Sequence, residues 1–292
     1  MSTSATHVPR AARTTTRRPK QQPSQTWVIA RTDLRQFVQA RDFWLPLSIV
    51  ALLFFVVIPT VLLLVVSTIK DVKLINHLSD VVGSLPKGLQ ANVKGQRGPA
   101  QASYALAVYL FAPLAIIVPL TVSSAVGAHT IVGERERGSG EFLAHSPATE
   151  RQIYLGKLLA SLIPGYFTAL VGFGAYSLVV NLIVGPQVGG WFFPTTNWWI
   201  LMLWVLPPFI ALALAAILAI SARVSSAAAA QQASALATLP LIVIAYGVSS
   251  NTLFKGYGLA LAIGALAWLG AFLALWRASR AVSRERLLGL GG

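Results

Sequence analysis

Cysteine is absent from all 292 residues, which excludes disulfides and thiolate metal sites and leaves no signal about redox compartment. Charge is scarce as well. Asp, Glu, Lys and Arg make up 11% of the chain, against roughly 25% in soluble domains, and only nine residues are acidic. Catalytic signatures are missing too: there is no H-E-x-x-H, no G-x-S-x-G and no G-x-x-x-x-G-K-[ST]. "LGKLL" (155–159) has a Gly-Lys pair without the preceding glycine or the following hydroxyl residue. The sequence therefore nominates no catalytic residue, metal ligand or cofactor-binding residue, and any ATP-driven work needs another polypeptide.

What is present is apolar. With 55% hydrophobic residues, uncharged runs extend over 43–69, 98–128, 158–222, 224–254 and 256–276, each long enough for the ~20 residues of a membrane-spanning helix. The third has room for two helices, broken at "GPQVGG" (185–190) and "PTTN" (194–197), which are turn-forming clusters. The reading is an all-α integral membrane protein with six transmembrane helices in a domain over 45–277, the spans falling near 45–67, 104–128, 158–184, 199–222, 228–248 and 257–276. Continuous apolar runs argue against a β-barrel, whose strands alternate.

Of the 23 Lys and Arg residues, eight precede span one, four lie between spans two and three, one (Arg223) between four and five, and four follow span six. The other side holds only Lys70, Lys73, Lys87, Lys94, Arg97 and Lys255. Both termini are therefore expected in the cytoplasm, with the chain in the cytoplasmic membrane. This bias, with attraction to anionic lipid, accounts for most of the net charge of +14, so nucleic acid is not an expected partner and membrane lipid is.

Residues 1–25 are poor in apolar material and are expected to be disordered. No apolar h-region follows their basic residues, so they do not read as a signal peptide. "TWVIARTDLRQFVQARDFWLPL" (26–47) differs: Val28, Leu34, Phe37, Val38 and Trp44 fall near helical spacing, with Arg31, Arg35, Gln39 and Asp42 opposite. An interfacial amphipathic helix over 26–44 is expected, seated by Trp27 and Trp44. A solvated juxtamembrane helix is the plainer alternative.

None of the six expected spans contains a charged residue, which disfavours ion-coupled transport. Pro59, Pro113, Pro119, Pro164, Pro207, Pro208 and Pro240 each remove a helix hydrogen bond. In "SSAAAAQQASALATLP" (225–240), Gln231, Gln232 and Ser234 sit among small residues that permit close helix contact, which suits a dimer interface or a transport pathway. Both glutamines could equally reach cytoplasmic water.

"GERERGSGEFLAHSPATERQIYLGK" (133–157) holds four of the nine acidic residues between two apolar runs. Gly138 and Gly140 interrupt helix continuity, leaving "EFLAH" as a short transverse helix with Phe142 and Leu143 as an apolar knob. Ser146 then reads as the N-cap of the next helix, with Pro147 at its first position and an acid in its first turn. A plain connection needs only a few residues. The length and content here point to a docking element, the alternative being a solvated loop.

This stretch resembles the cytoplasmic signature of type 2 ABC exporter permeases, an E-R/K-E-x-G-[ST]-x-E-x-L-x-x-[ST]-P-x-[ST] run followed by a Gly-Lys pair opening span three. Glu134, Glu136, Gly138, Glu141, Leu143, Ser146, Pro147, Gly156 and Lys157 match in order. "ARTDLRQFVQARDFW" is similar to the family's connecting helix, "AAQQASALATLP" to the start of its fifth helix and "SRERLL" (283–288), in the expected cytoplasmic tail 278–292, to its C-terminal ending. One departure is that only Ser249 to Gly256 join spans five and six, while the larger outer loop, 68–103, follows span one. Exit geometry is therefore not carried over.

The resemblance implies a half-transporter. A second permease copy or homologue faces it, and a pair of cytoplasmic P-loop ATPase subunits, holding ATP and magnesium, drives it through a coupling helix between spans two and three. Glu134, Arg135, Glu136 and Glu141 would contact the ATPase, Phe142 and Leu143 would fill its groove, Gly138 and Gly140 would set the turn, and Ser146 and Pro147 would shape the entry into span three. The rivals are a non-transporting sensor or scaffold and a lipid-modifying enzyme, which should carry an acidic or histidine cluster with catalytic spacing. Lipids, amphipathic drugs or peptides would suit an apolar pathway.

Overall fold

The computed structural model describes residues 24–68, 80, 83, 98–136, 147–221, 229, 232, 236, 239–240, 242–243 and 257–281. The described secondary structure is helical. The chain runs through α1 (Gln25–Gln39), α2 (Arg41–Leu52), α3 (Ile58–Thr68), α4 (Pro99–Ala105), α5 (Leu114–Glu136), α6 (Glu150–Ile183), α7 (Gly185–Val188), α8 (Thr196–Ile200), α9 (Leu206–Ser221) and α10 (Tyr257–Ala281).

Five helical stretches are long and apolar enough to cross a membrane: Trp44–Thr68, Pro99–Thr130, Glu150–Ile183, Thr196–Leu218 and Gly258–Arg277. They fall on the first four and the last of the expected spans. The span expected at 228–248 lies mostly outside the described residues, as do the tails 1–23 and 282–292. The apolar run 158–222 breaks where its glycines and prolines fall. There α6 ends at Ile183, and Gly189 and Gly190 take positive φ values of 95° and 130° before helix resumes at Thr196. Only glycine adopts such angles without steric cost.

Prolines shape three of the spans in the same way, whereas Pro119 and Pro164 lie within regular α-helix. Three π-helical segments, Leu53–Val57, Leu106–Leu110 and Leu201–Val205, each lie just before a proline: Pro59, Pro113 and the pair Pro207–Pro208. A proline ring clashes with the carbonyl four residues earlier, and those residues, Phe55, Tyr109, Leu203 and Trp204, all lie inside the wide segments. The wider turn relieves that clash. Carbonyls of these segments find side-chain donors: Tyr176 Oη donates to Ala107 O at 2.5 Å, Trp198 Nε1 to Val108 O at 2.9 Å and Tyr166 Oη to Met202 O at 3.2 Å.

The long α6 organises the rest, packing against α1, α3, α5 and α9. The stretches around α5 and α9 form the interior, each 67% buried over its most apolar window, while those around α3 and α10 are 22% buried and peripheral among the described residues. At its far end Asn181, itself buried, receives the amides of Phe192 and Phe193 at 3.0 and 3.1 Å and donates to Phe193 O at 2.6 Å and Ser177 O at 2.9 Å. Near it Phe173, Tyr176, Phe193 and Trp198 pack together, mostly edge to face, with ring centroids 4.9–6.0 Å apart.

The amphipathic segment differs from the single helix expected over 26–44. It breaks at Ala40, and Trp44 belongs to α2 at the start of span one. The break exposes the carbonyl of Val38, which the Trp44 indole takes up at 3.0 Å. Of the stripe expected to seat on the membrane, Val28 and Val38 are exposed, and Ile29 and Ala30 are buried against α6. Helix α1 thus has two apolar faces, one against protein and one outward.

Candidate functional site

The stretch 133–157 is anchored at both ends. On one side α5 continues to Glu136, so Glu134, Arg135 and Glu136 form its last turn. On the other, α6 begins at Glu150 with Thr149 as its N-cap. This corrects the cap expected at Ser146. Thr149 has Gln152 three residues on, and the two make a reciprocal capping box: the Gln152 amide donates to Thr149 Oγ1 at 3.3 Å, and the Thr149 amide donates to Gln152 Oε1 at 2.9 Å. From Ser146 the third residue is Thr149, too short to reach back. Pro147 sits outside the helix, exposed, with Ala148 buried beside it. Gly138, Gly140, Glu141, Phe142, Leu143 and Ser146 lie outside the described residues. So do Gln231 and Ser234, whereas Gln232 is helical and exposed.

The Gly-Lys pair at 156–157 forms the joint itself. A Cβ on Gly156 would stand 2.8 Å from Ile29 Cγ2 and 3.1 Å from the Thr26 carbonyl. Glycine is what lets α1 lie directly on α6. One residue later, the Lys157 side chain is wholly buried. Its ammonium lies 3.8 Å from Asp33 Oδ2 on α1 and donates to the Thr130 carbonyl of α5 at 3.3 Å.

A buried ammonium without partners would cost several kcal/mol. Here a carboxylate and a carbonyl from two other helices compensate it, so the charge ties the register of the three helices together. Neighbouring hydroxyls extend the tie. Ser161 Oγ donates to Lys157 O at 3.0 Å and lies 3.4 Å from Thr130 Oγ1, which itself donates to Val126 O at 2.7 Å.

Within two turns of the stretch 137–149, then, α1, the end of α5 and the start of α6 meet at one point. Such a joint can pass displacement among three helices. No group of three or more potential metal-ligating side chains occurs among the described residues. Sequence reasoning selected Gly156 and Lys157 but missed their partners Ile29, Asp33 and Thr130. Asp33 stood out as the one acid on α1, whose other charges, Arg31 and Arg35, are basic, but nothing in the sequence paired it with Lys157.

Comparison with curated proteins found no match. The family model described as ABC-2 family transporter protein matches residues 27–265, from α1 into α10 and across the whole of 133–157. The chain therefore belongs to the ABC-2 transporter family, as a multi-pass membrane permease.

Proposed function

We propose that the chain is the transmembrane half of an ATP-driven exporter, with both termini in the cytoplasm and six spans. In this reading the segment beyond Glu136 forms a coupling helix that docks in a cytoplasmic P-loop ATPase. The observation that carries the proposal is the buried joint at Gly156–Lys157. A rigid three-helix tie placed beside the family's signature stretch is where a push from outside the membrane would be shared among spans.

Two permease units, identical or homologous, would face each other above a pair of ATPase subunits that hold ATP and magnesium. Glu134, Arg135, Glu136 and Glu141 would make polar contacts to the ATPase, with Phe142 and Leu143 in its groove. Gln231, Gln232 and Ser234 would line the dimer interface or the pathway. A cavity walled by apolar and small polar groups suits lipids, amphipathic drugs or peptides. Docking energy drives transport only insofar as it differs between the states of the bundle.

The test begins with whether the reading frame beside this one encodes a P-loop ATPase; that ATPase is then co-purified with the permease and screened for compounds that stimulate ATP hydrolysis. Glu134→Ala combined with Glu136→Ala should leave the permease inserted and abolish that stimulation; stimulation at the wild-type level would sink the assignment. Leu143→Asp should release the ATPase from the complex. A permease that functions with no ATPase would favour the sensor or scaffold reading.

A further inference from the structure

Two cavities, of about 390 and 250 Å³, lie between span one and α6. They share Ser48, Phe167 and Thr168 and so form one continuous groove. It begins beneath the elbow between α1 and α2, where Leu34, Phe37 and Trp44 line it, and ends near Ala175. From Ile163 to Ala175 on α6 is twelve residues, as is Trp44 to Val56 on the facing span, so the groove runs about 18 Å along both helices at 1.5 Å per residue.

Its walls are almost entirely apolar. Even the Thr168 hydroxyl is taken up within its own helix, donating to Pro164 O at 2.8 Å. At the far end Gly172 lets the Phe55 ring close against α6, where a Cβ would collide with that ring.

Three exposed arginines neighbour the lining residues along the chain. Arg31 stands three residues before Leu34 and Arg35 three before Val38, so on α1 they share a side with these lining residues rather than lying opposite them as expected, and Arg41 opens α2 three residues before Trp44, next to the exposed Asp42. Cation above and hydrocarbon below match one molecule. We propose that the groove holds a resident anionic glycerophospholipid of the cytoplasmic leaflet, its phosphate against the arginines and one acyl chain between span one and α6.

The dimension agrees, since half of a ~30 Å hydrocarbon core is about 15 Å, close to the groove's length. Apolar burial alone would accept any lipid; the arginines select for negative charge, each contributing about fivefold in affinity near an anionic surface. Because the groove wall includes α1 and α6, which meet at the joint, lipid occupancy bears on how firmly α1 is seated. The inference rests on α1 lying along the membrane surface and is independent of ATPase coupling.

The experiment is native mass spectrometry of the purified full-length permease alone, titrated with phosphatidylglycerol and with phosphatidylcholine of the same acyl chains. One phosphatidylglycerol should be retained at least about tenfold more strongly than phosphatidylcholine. Arg31→Ala, Arg35→Ala and Arg41→Ala together should bring it down to the phosphatidylcholine level. Thr168→Trp or Ser48→Trp, filling the groove from opposite walls, should lower retention of both lipids. Equal retention of the two lipids by the wild type, unchanged phosphatidylglycerol binding in the arginine variant, or unchanged binding in both tryptophan variants would overturn the proposal. As no ATPase is present, a negative result here leaves the coupling assignment standing, and the converse holds.

Discussion

Helix α6 is held very differently at its two ends. Around Asn181, some 24 residues or about 36 Å beyond Lys157, the ties are neutral, short and redundant: four hydrogen bonds to one amide and four rings packed mostly edge to face. Around Lys157 they are one buried charge with partners at 3.3 and 3.8 Å, and one glycine against an isoleucine. Redundant neutral bonding fixes a structure whatever its neighbours do. A single charge satisfied by two other helices makes the local energy depend on where those helices are. The first arrangement suits an anchor, the second a relay.

The contrast can be broken most directly at the anchor. Asn181→Leu strands two amides and a carbonyl in an aromatic core, and should cost about 3–5 kcal/mol, read as a large fall in the melting temperature of the purified protein. The folded fraction should keep ATPase stimulation. An unchanged melting temperature would mean that the far end is not the anchor.

Next is Lys157→Met, which removes the cation beside Asp33 and should cost about 2–3 kcal/mol, less than a fully buried pair because the Asp33 side chain is 12% exposed. Its greater effect should be loss of ATPase stimulation. Adding Asp33→Asn should recover stability while stimulation stays low. Recovery of both would reduce the ion pair to packing.

Gly156→Ala should cost about 1–2 kcal/mol through overpacking against Ile29, and Ile29→Ala should offset it, a coupling measurable in a double-mutant cycle. Additive effects would show that α1 is not seated there. Smallest is Trp198→Phe, which removes the donor to Val108 O and should cost about 1 kcal/mol. A larger effect on ATPase stimulation than on melting would blur the division of labour between the ends.

How legible this was in the sequence depended on the kind of signal. Apolar runs announce spanning helices because length and composition suffice, and five of them are present as helices here. Caps are subtler: Ser146-Pro147 carries a strong local signal, yet Thr149 prevails because Gln152 is placed to answer it. Asn181 passed unremarked inside an apolar run, although a strong hydrogen-bonding amide there must find partners. Asp33 was invisible as a partner of Lys157 because 124 positions separate them and only the packing of α1 on α6 brings them together. Phe142 and Leu143, expected as a docking knob only through pattern, lie outside the described residues.

The three wide turns carry a consequence for anyone engineering these spans. A π turn accommodates one extra residue, so side chains beyond it are rotated by about 100° from where an unbroken helix would put them. Face assignments drawn straight through Leu53–Val57, Leu106–Leu110 or Leu201–Val205 will label lipid-facing positions as interior and the reverse. Replacing Pro59, Pro113 or the Pro207–Pro208 pair therefore amounts to turning half of a span about its own axis, changing which residues the neighbouring helix meets without altering a single one of them.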